Sequence, residues 1–344
     1  MKAAIITSPG MKPSYGEFQS PVGREGLEVI TVTAAALTNL TKGRAAGSHY
    51  SADNHYPFVP GVDGVGALAD GRRVYFAMPE DPFGAMAEQT LIDPRRIITL
   101  PDNLDDVAAA ALANPGMSCF AALVERARFQ AGETVLINGA TGTAGLVAVQ
   151  VAKQLGARKV IVTGRNAKEL EALRPLGADV VIPFDLRPEN RQGVEHFEQA
   201  LTGAFADGLD VVVDYLWGSS ACTIIVAVAK AVEDAHPVRF VQVGEASREP
   251  VEFPAAALRS SAIQIMGSGL KSVPLPKLLE CIRKPFELAA QGKLHLPTKV
   301  VPLSTVTESW EASGKPRLVF AMKQGAQRTD SDFLATGGNT GTTE

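Results

Sequence analysis

The residues best suited to chemistry lie in one short run. Thr134-Val-Leu-Ile-Asn138 leads into Gly139-Ala-Thr-Gly142-Thr-Ala-Gly145, and an apolar helical pattern follows over 145–155. A strand, a glycine-spaced turn and a helix suit the pyrophosphate of a dinucleotide. Glycine lets the backbone approach the phosphates, and the first turn of a helix offers unpaired N–H groups and the positive end of its dipole. Gly139, Thr141, Gly142, Thr143, Ala144 and Gly145 are therefore candidate cofactor-binding residues. The spacing is GxxGxxG and not the commoner GxGxxG, so a tight strand-to-helix turn without a ligand is the competing explanation.

The end of the next strand bears on which dinucleotide is held. A carboxylate there would bind the ribose 2′-hydroxyl of NAD. The chain reads Val162-Thr-Gly164-Arg165-Asn166-Ala-Lys168, with no Asp or Glu in the turn. Arg165 offers a planar fork and Lys168 a point charge to a 2′-phosphate, with Gly164 and Asn166 beside them. Ordinary solvated charges at a helix start are the alternative. The expected cofactor is NADPH.

These residues need a scaffold, and the pattern after Pro101 supplies one. Apolar strands are expected at 134–138, 160–163, 179–182, 210–214, 239–243 and 263–266, separated by helices at 145–155, 168–176, 194–201 and 220–233. Continuous apolar strands alternating with helices mean a parallel sheet covered on both faces. Val243-Gly244 and Gly267-Ser268 end two of these strands and are candidate backbone contacts to the cofactor. Before this region, 105–113 reads as an Ala-rich helix broken by Asn114-Pro115-Gly116, with a second helical pattern over 118–128. The first hundred residues read as short strands, at 27–33, 61–69, 73–77 and 87–92. Residues 43–60, with Tyr50 and Tyr56, have no periodicity and read as a binding loop. A helix over 277–291 and a strand over 317–322 complete the pattern, and 325–344 read as a disordered tail.

Composition bounds the function. The 344 residues suggest about two domains of ~150 residues each. A net charge of −4, from 33 Lys+Arg and 37 Asp+Glu, without a basic block, argues against a nucleic-acid binder. No apolar run is expected to approach the roughly 18 residues of a membrane span, and no signal peptide is evident. Cys119, Cys222 and Cys281 are odd in number and widely spaced, as in a protein of the reducing cytoplasm. Three cysteines also fall short of a four-cysteine structural zinc site.

Taken in order, several segments resemble the zinc-independent quinone oxidoreductase (zeta-crystallin-like) branch of the medium-chain dehydrogenase/reductase superfamily. They are Met1-Lys2-Ala3, Asn39, Val59-Pro-Gly-Val-Asp-Gly-Val-Gly66, Gly71-Arg-Arg-Val74, Gly132-Glu-Thr-Val-Leu-Ile137, residues 139–145, Leu176-Gly-Ala-Asp179 and Gly208-Leu-Asp-Val-Val-Val-Asp214. The resemblance covers most of residues 1–323. It implies an α/β chain with a GroES-like β-rich substrate domain, 1–117 and 263–324, and an inserted Rossmann domain with a doubly wound parallel sheet, 118–262. It also implies a homodimer.

Where zinc-dependent relatives carry Cys, this chain has Asn39. Val62-Asp63 stands in place of their His-Glu, and Asn114-Pro115-Gly116 lies near their third ligand. The five histidines show no paired spacing, so no metal site is expected. Without a Lewis acid the acceptor must take hydride readily, as a quinone or an α,β-unsaturated carbonyl does by spreading charge onto oxygen. The resemblance points to Asn39 as a partner of that oxygen or of the nicotinamide ribose, and to Tyr50 as a candidate proton donor, with loop packing as the alternative for Tyr50. Arg44 replaces the tyrosine common five residues after the Asn. It would suit an acidic or phosphate-bearing substrate, although a water-facing charge is the preferred explanation. Asn114 and Met117 are expected to line the substrate pocket. The expected activity is NADPH-dependent reduction of a small-molecule quinone or enone, with no nucleic-acid or membrane partner. The alternatives are an enoyl thioester reductase of the same fold and a low-turnover NADPH-binding protein.

Overall fold

The structure is a computed structural model that describes residues 1–49, 55–312 and 315–322. Tyr50 and the expected tail, 325–344, lie outside the described residues. The chain divides into two compact units, one made of Met1–Ala111 and Leu296–Glu344, the other of Leu112–His295.

In the second unit, Val- and Ile-rich runs pair as six parallel strands. Their spatial order is Val180–Pro183, Lys159–Gly164, Thr134–Asn138, Val211–Asp214, Pro237–Gln242 and Ala262–Gly267. The central strands are buried throughout, which is why they read as unbroken apolar runs. The strand order reverses between Thr134–Asn138 and Val211–Asp214, the point where an open α/β sheet leaves a crevice at its carboxyl ends. Helices Gly193–Ala204 and Gly218–Ala231 pack one side, burying Phe197, Leu201, Ile224 and Ile225 against Leu136, Ile161 and Phe240.

The first unit is β-rich. Its main sheet runs Thr298–Pro302, Arg317–Ala321, Glu28–Ala36, Asp63–Ala67, Arg73–Ala77 and Ile97–Thr99, with Gln89–Ile92 also paired to Glu28–Ala36. All pairs are antiparallel except that of Thr298–Pro302 with Arg317–Ala321. Ile6, Ile30, Phe76, Met86, Ile92 and Phe320 form its core.

Four expectations are corrected. The second unit extends to His295 and begins at Leu112, against the expected 118–262, because Ala262–Gly267 completes the parallel sheet and Leu275–Ala290 packs in the same unit. Asn114-Pro115-Gly116 does not break the helix, which runs Asp106–Phe120 and continues as a π-helical turn, Ala121–Arg126. Pro115 removes one backbone donor, and tight packing holds the helix through it: a Cβ on Gly116 would come within 2.6 Å of the Pro285 ring. Read through the proline, Asp106–Arg126 is long and apolar enough to cross a membrane, although 67% of its most apolar window is buried in the protein. Part of the expected loop 43–60 is helical, because Asn39–Ala45 forms a helix capped by Thr38.

Candidate functional site

The glycine turn is built by three constraints. Gly139 adopts φ +84°, a left-handed conformation that glycine takes without strain. Its amide and that of Ala140 both donate to Thr163 O, at 3.0 and 3.1 Å, which fixes the turn against the neighbouring strand. Gly142 stands at the start of helix Thr143–Gln154 and has no side chain to occupy the first amides. Gly145 lets this helix close on the turn, since a Cβ there would meet Gly139 O at 2.5 Å and Ala140 Cα at 2.6 Å. The result is an uncapped helix N-terminus facing a bare backbone turn. The helix after the fourth strand contrasts with it: Glu249 Oε2 accepts from Ser219 N at 3.2 Å and Ser219 Oγ at 3.0 Å, so its N-terminus is filled by the chain's own anion.

At the end of the second strand, Gly164 lies beside Thr141, with an added Cβ 3.5 Å from its side chain. Arg165, Asn166 and Lys168 are exposed. Asn166 caps helix Ala167–Glu171, and its Nδ2 donates to Glu169 Oε1 at 2.7 Å, which engages the first carboxylate after the strand. The side chains of Arg165 and Lys168 make no hydrogen bond or ion pair among the described residues. At the far end of the sheet, Val243 and Gly244 donate to Asp214 O, and Ser268 N donates to Gln242 O at 2.8 Å. The carboxyl ends of the fourth, fifth and sixth strands are thus tied together. All the expected cofactor residues belong to this one edge of the second unit.

The expected substrate residues are divided. Asn39 opens helix Asn39–Ala45 in the first unit; it is exposed, and its carboxamide makes no bond among the described residues. Arg44, half-buried on the same helix, lines a pocket with Thr41, His55, Phe58, Val62 and Met78. Burial and the Arg44 charge lower the His49 pKa below its usual range. Asn114 and Met117, three residues apart on helix Asp106–Phe120 and half-buried, belong to the second unit. Among the described residues no three His, Cys, Asp or Glu side chains gather around one point.

Residues 144–284 match the family described as zinc-binding dehydrogenase. A 2-methylene-furan-3-one reductase of Solanum lycopersicum is 32% identical over 56% of the chain, which spans half of that relative's length. A probable NADPH-dependent quinone reductase, tdiC, of Emericella nidulans is 27% identical over 90% of the chain and 96% of its own. The chain is thus similar to zinc-binding dehydrogenases over residues 144–284, and over longer stretches to enone and quinone reductases. The quinone oxidoreductase of Thermus thermophilus shares its fold, with a TM-score of 0.75 at 24% identity over 94% of this chain and 100% of that one. The two units accordingly have the GroES-like and Rossmann folds.

Sequence reading passed over the polar residues that end the Rossmann strands. Asn138 Nδ2 donates to Asp214 Oδ1 at 2.8 Å and to Ser220 Oγ at 2.9 Å, while Asn138 Oδ1 accepts from Thr163 Oγ1 at 2.7 Å. Asp214 also accepts the amides of Leu216 and Trp217, which holds Trp217 at φ +65°. Burial raises the Asp214 pKa, and these bonds oppose the rise. A polar residue at or next to the end of each of TVLIN, KVIVTG and VVVD was the available signal.

A second buried carboxylate was also missed. Asp63, in the first unit, accepts from Tyr75 OH at 3.1 Å, and burial pushes its pKa from 3.8 up to about 6. The native state therefore holds this proton more tightly than the unfolded chain. Its stabilisation is complete below about pH 4 and is lost as pH rises through about 6. Asp63→Asn has no proton to lose. Its unfolding free energy relative to the parent should shift in its favour by up to ~3 kcal/mol between pH 4 and 7.5. Denaturant unfolding at both pH values measures this, and a pH-independent difference would contradict it.

Proposed function

We propose that the protein is an NADPH-dependent oxidoreductase that reduces a quinone or an α,β-unsaturated carbonyl. The observation that carries this reading is the uncapped N-terminus of Thr143–Gln154 together with the unpaired Arg165 and Lys168 at the end of the neighbouring strand. Thr143, Ala144 and Gly145 amides would receive the pyrophosphate. Arg165 and Lys168 would hold the 2′-phosphate, with no carboxylate in the turn to repel it. Val243, Gly244, Gly267 and Ser268 would meet the nicotinamide end through backbone groups. The bound nicotinamide supplies hydride to the electrophilic carbon of the acceptor.

The chain's own part is to position groups and manage charge. Asn39 donates its carboxamide hydrogen to the acceptor oxygen as negative charge develops there, an interaction that strengthens towards the transition state. Tyr50 or solvent then protonates the enolate or quinol anion. Within the first unit, Arg44 lines the pocket proposed for the acceptor. The tomato and Emericella relatives, named for an enone and for quinone reduction, support this acceptor class.

A second copy of the chain is the proposed macromolecular partner. The strand Ala262–Gly267 is paired on one side only and exposes Ile265, so it offers a sheet edge. The free thiols Cys119, Cys222 and Cys281 suit the cytoplasm, the proposed location.

Purified protein should oxidise NADPH with 1,4-benzoquinone or 3-penten-2-one and show at least tenfold lower kcat/KM with NADH. Crotonyl-CoA in the same assay separates the enoyl thioester alternative. Tight NADPH binding without turnover on any of the three acceptors would favour a non-enzymatic role and overturn the proposal.

A further inference from the structure

The strand Glu28–Ala36 runs into Thr38 and Asn39, and the strands on either side of it each place a charged residue at that end: Asp63, which is buried, and Arg317, half-buried with its Nε enclosed. Arg317–Ala321 flanks it in the register Val319–Ala36, and Leu37 N donates to Leu318 O at 3.0 Å. Continued, this register sets Arg317 beside Thr38. Asp63–Ala67 flanks the other edge, with Val65 opposite Ala34, which sets Asp63 beside Ala36. Asp63 and Arg317 thus straddle the last residues before Asn39, and their opposite charges attract across them.

Neither group is arranged like a simple structural pair. Asp63 Oδ2 accepts from Tyr75, but Oδ1 is buried without a hydrogen-bond partner among the described residues, and so is Arg317 Nε. Buried charges left partly unsatisfied reduce stability, and two apolar residues would pack here at lower cost. Arg317 also repels the charge of Lys42, on the helix that Asn39 begins, and Lys42 Nζ donates to Ala312 O at 2.7 Å. The charged and titratable groups around the pair are therefore Tyr75, Lys42 and, beyond it, Glu311. The cluster holds both the entry and the first turn of the segment that presents Asn39.

We propose that Asp63 and Arg317 are positioning residues for Asn39, holding its carboxamide where the acceptor oxygen develops charge. The inference rests on the role given to Asn39 above. It adds that a buried carboxylate and a half-buried guanidinium, neither touching the acceptor, set the precision of that contact. Small displacements of a positioned donor are costly because its hydrogen bond is directional.

A double-mutant cycle with 3-penten-2-one and saturating NADPH tests it. Asp63→Asn should lower kcat about tenfold and leave the NADPH dissociation constant unchanged, because the nucleotide cradle belongs to the other unit. Arg317→Gln should reproduce this loss, and Arg317→Lys, which keeps the charge, should recover most of it. Asn39→Ala should lower kcat at least tenfold, and Asp63→Asn/Asn39→Ala should be no slower than Asn39→Ala alone. If Asp63→Asn does not fold, the Arg317→Gln/Asn39→Ala cycle gives the same readout. Multiplicative losses in the double variant, or parental kcat in Asp63→Asn, would overturn the inference and leave the proposed function standing. Parental turnover in Asn39→Ala would overturn both this inference and the role assigned to Asn39.

Discussion

Gly145→Val is expected to abolish measurable NADPH binding, raising the dissociation constant at least ~10³-fold. Even one added carbon would lie 2.5 Å from Gly139 O and 2.6 Å from Ala140 Cα, and both obstacles are backbone. Neither can rotate away as a flexible side chain would, so the helix must move off the turn. Its first amides and the bare turn beside Gly142 then no longer converge on one phosphate group. Losing several charge-assisted hydrogen bonds, each contributing ~1.5–3 kcal/mol, accounts for the size of the effect. Overpacking should also cost ~1–3 kcal/mol of stability. Gly203→Ala is the matched control, because a Cβ there meets nothing within 4 Å. Fluorescence titration with NADPH reads the result, and near-parental affinity in Gly145→Val would remove the phosphate cradle from this turn.

Arg165→Ala should weaken NADPH binding ~10- to 100-fold and leave NADH binding within about twofold. The guanidinium is exposed and makes no bond within the described protein, so its removal breaks no internal contact. What is lost is a forked, charge-assisted contact to a group that only NADPH carries. Lys168→Ala should show the same selectivity with a smaller loss, because an ammonium acts as a point charge. Both losses should shrink as salt is raised, since the contacts face solvent. Parallel titrations with the two nucleotides decide the matter. Equal weakening of both would sink the 2′-phosphate assignment.

Much of the Rossmann unit was legible in the sequence because its physics is local. Central parallel strands are buried on both faces, so they appear as unbroken Val- and Ile-rich runs. The turn at 139–145 announces itself through glycines that close packing and a positive φ require. The β-rich unit was less legible, because its strands are short and irregularly spaced. Helix Asp106–Phe120 was misread at Pro115, where the cost of a missing N–H is local but the packing against Pro285 comes from far along the chain.

The sequence by itself determined the glycine turn, the cationic end of the second strand and the αβ alternation that places them. Residue type and spacing within a few positions suffice for each. Tertiary structure alone decided which polar residues meet. Asn138 and Asp214 are 76 residues apart in sequence and bond at 2.8 Å because two parallel strands align their carboxyl ends. Asp63 and Arg317 stand on opposite sides of one strand end because the first unit is assembled from both ends of the chain. Burial that raises a carboxylate pKa, and registers that bring distant charges together, depend on three-dimensional neighbours that no local pattern records.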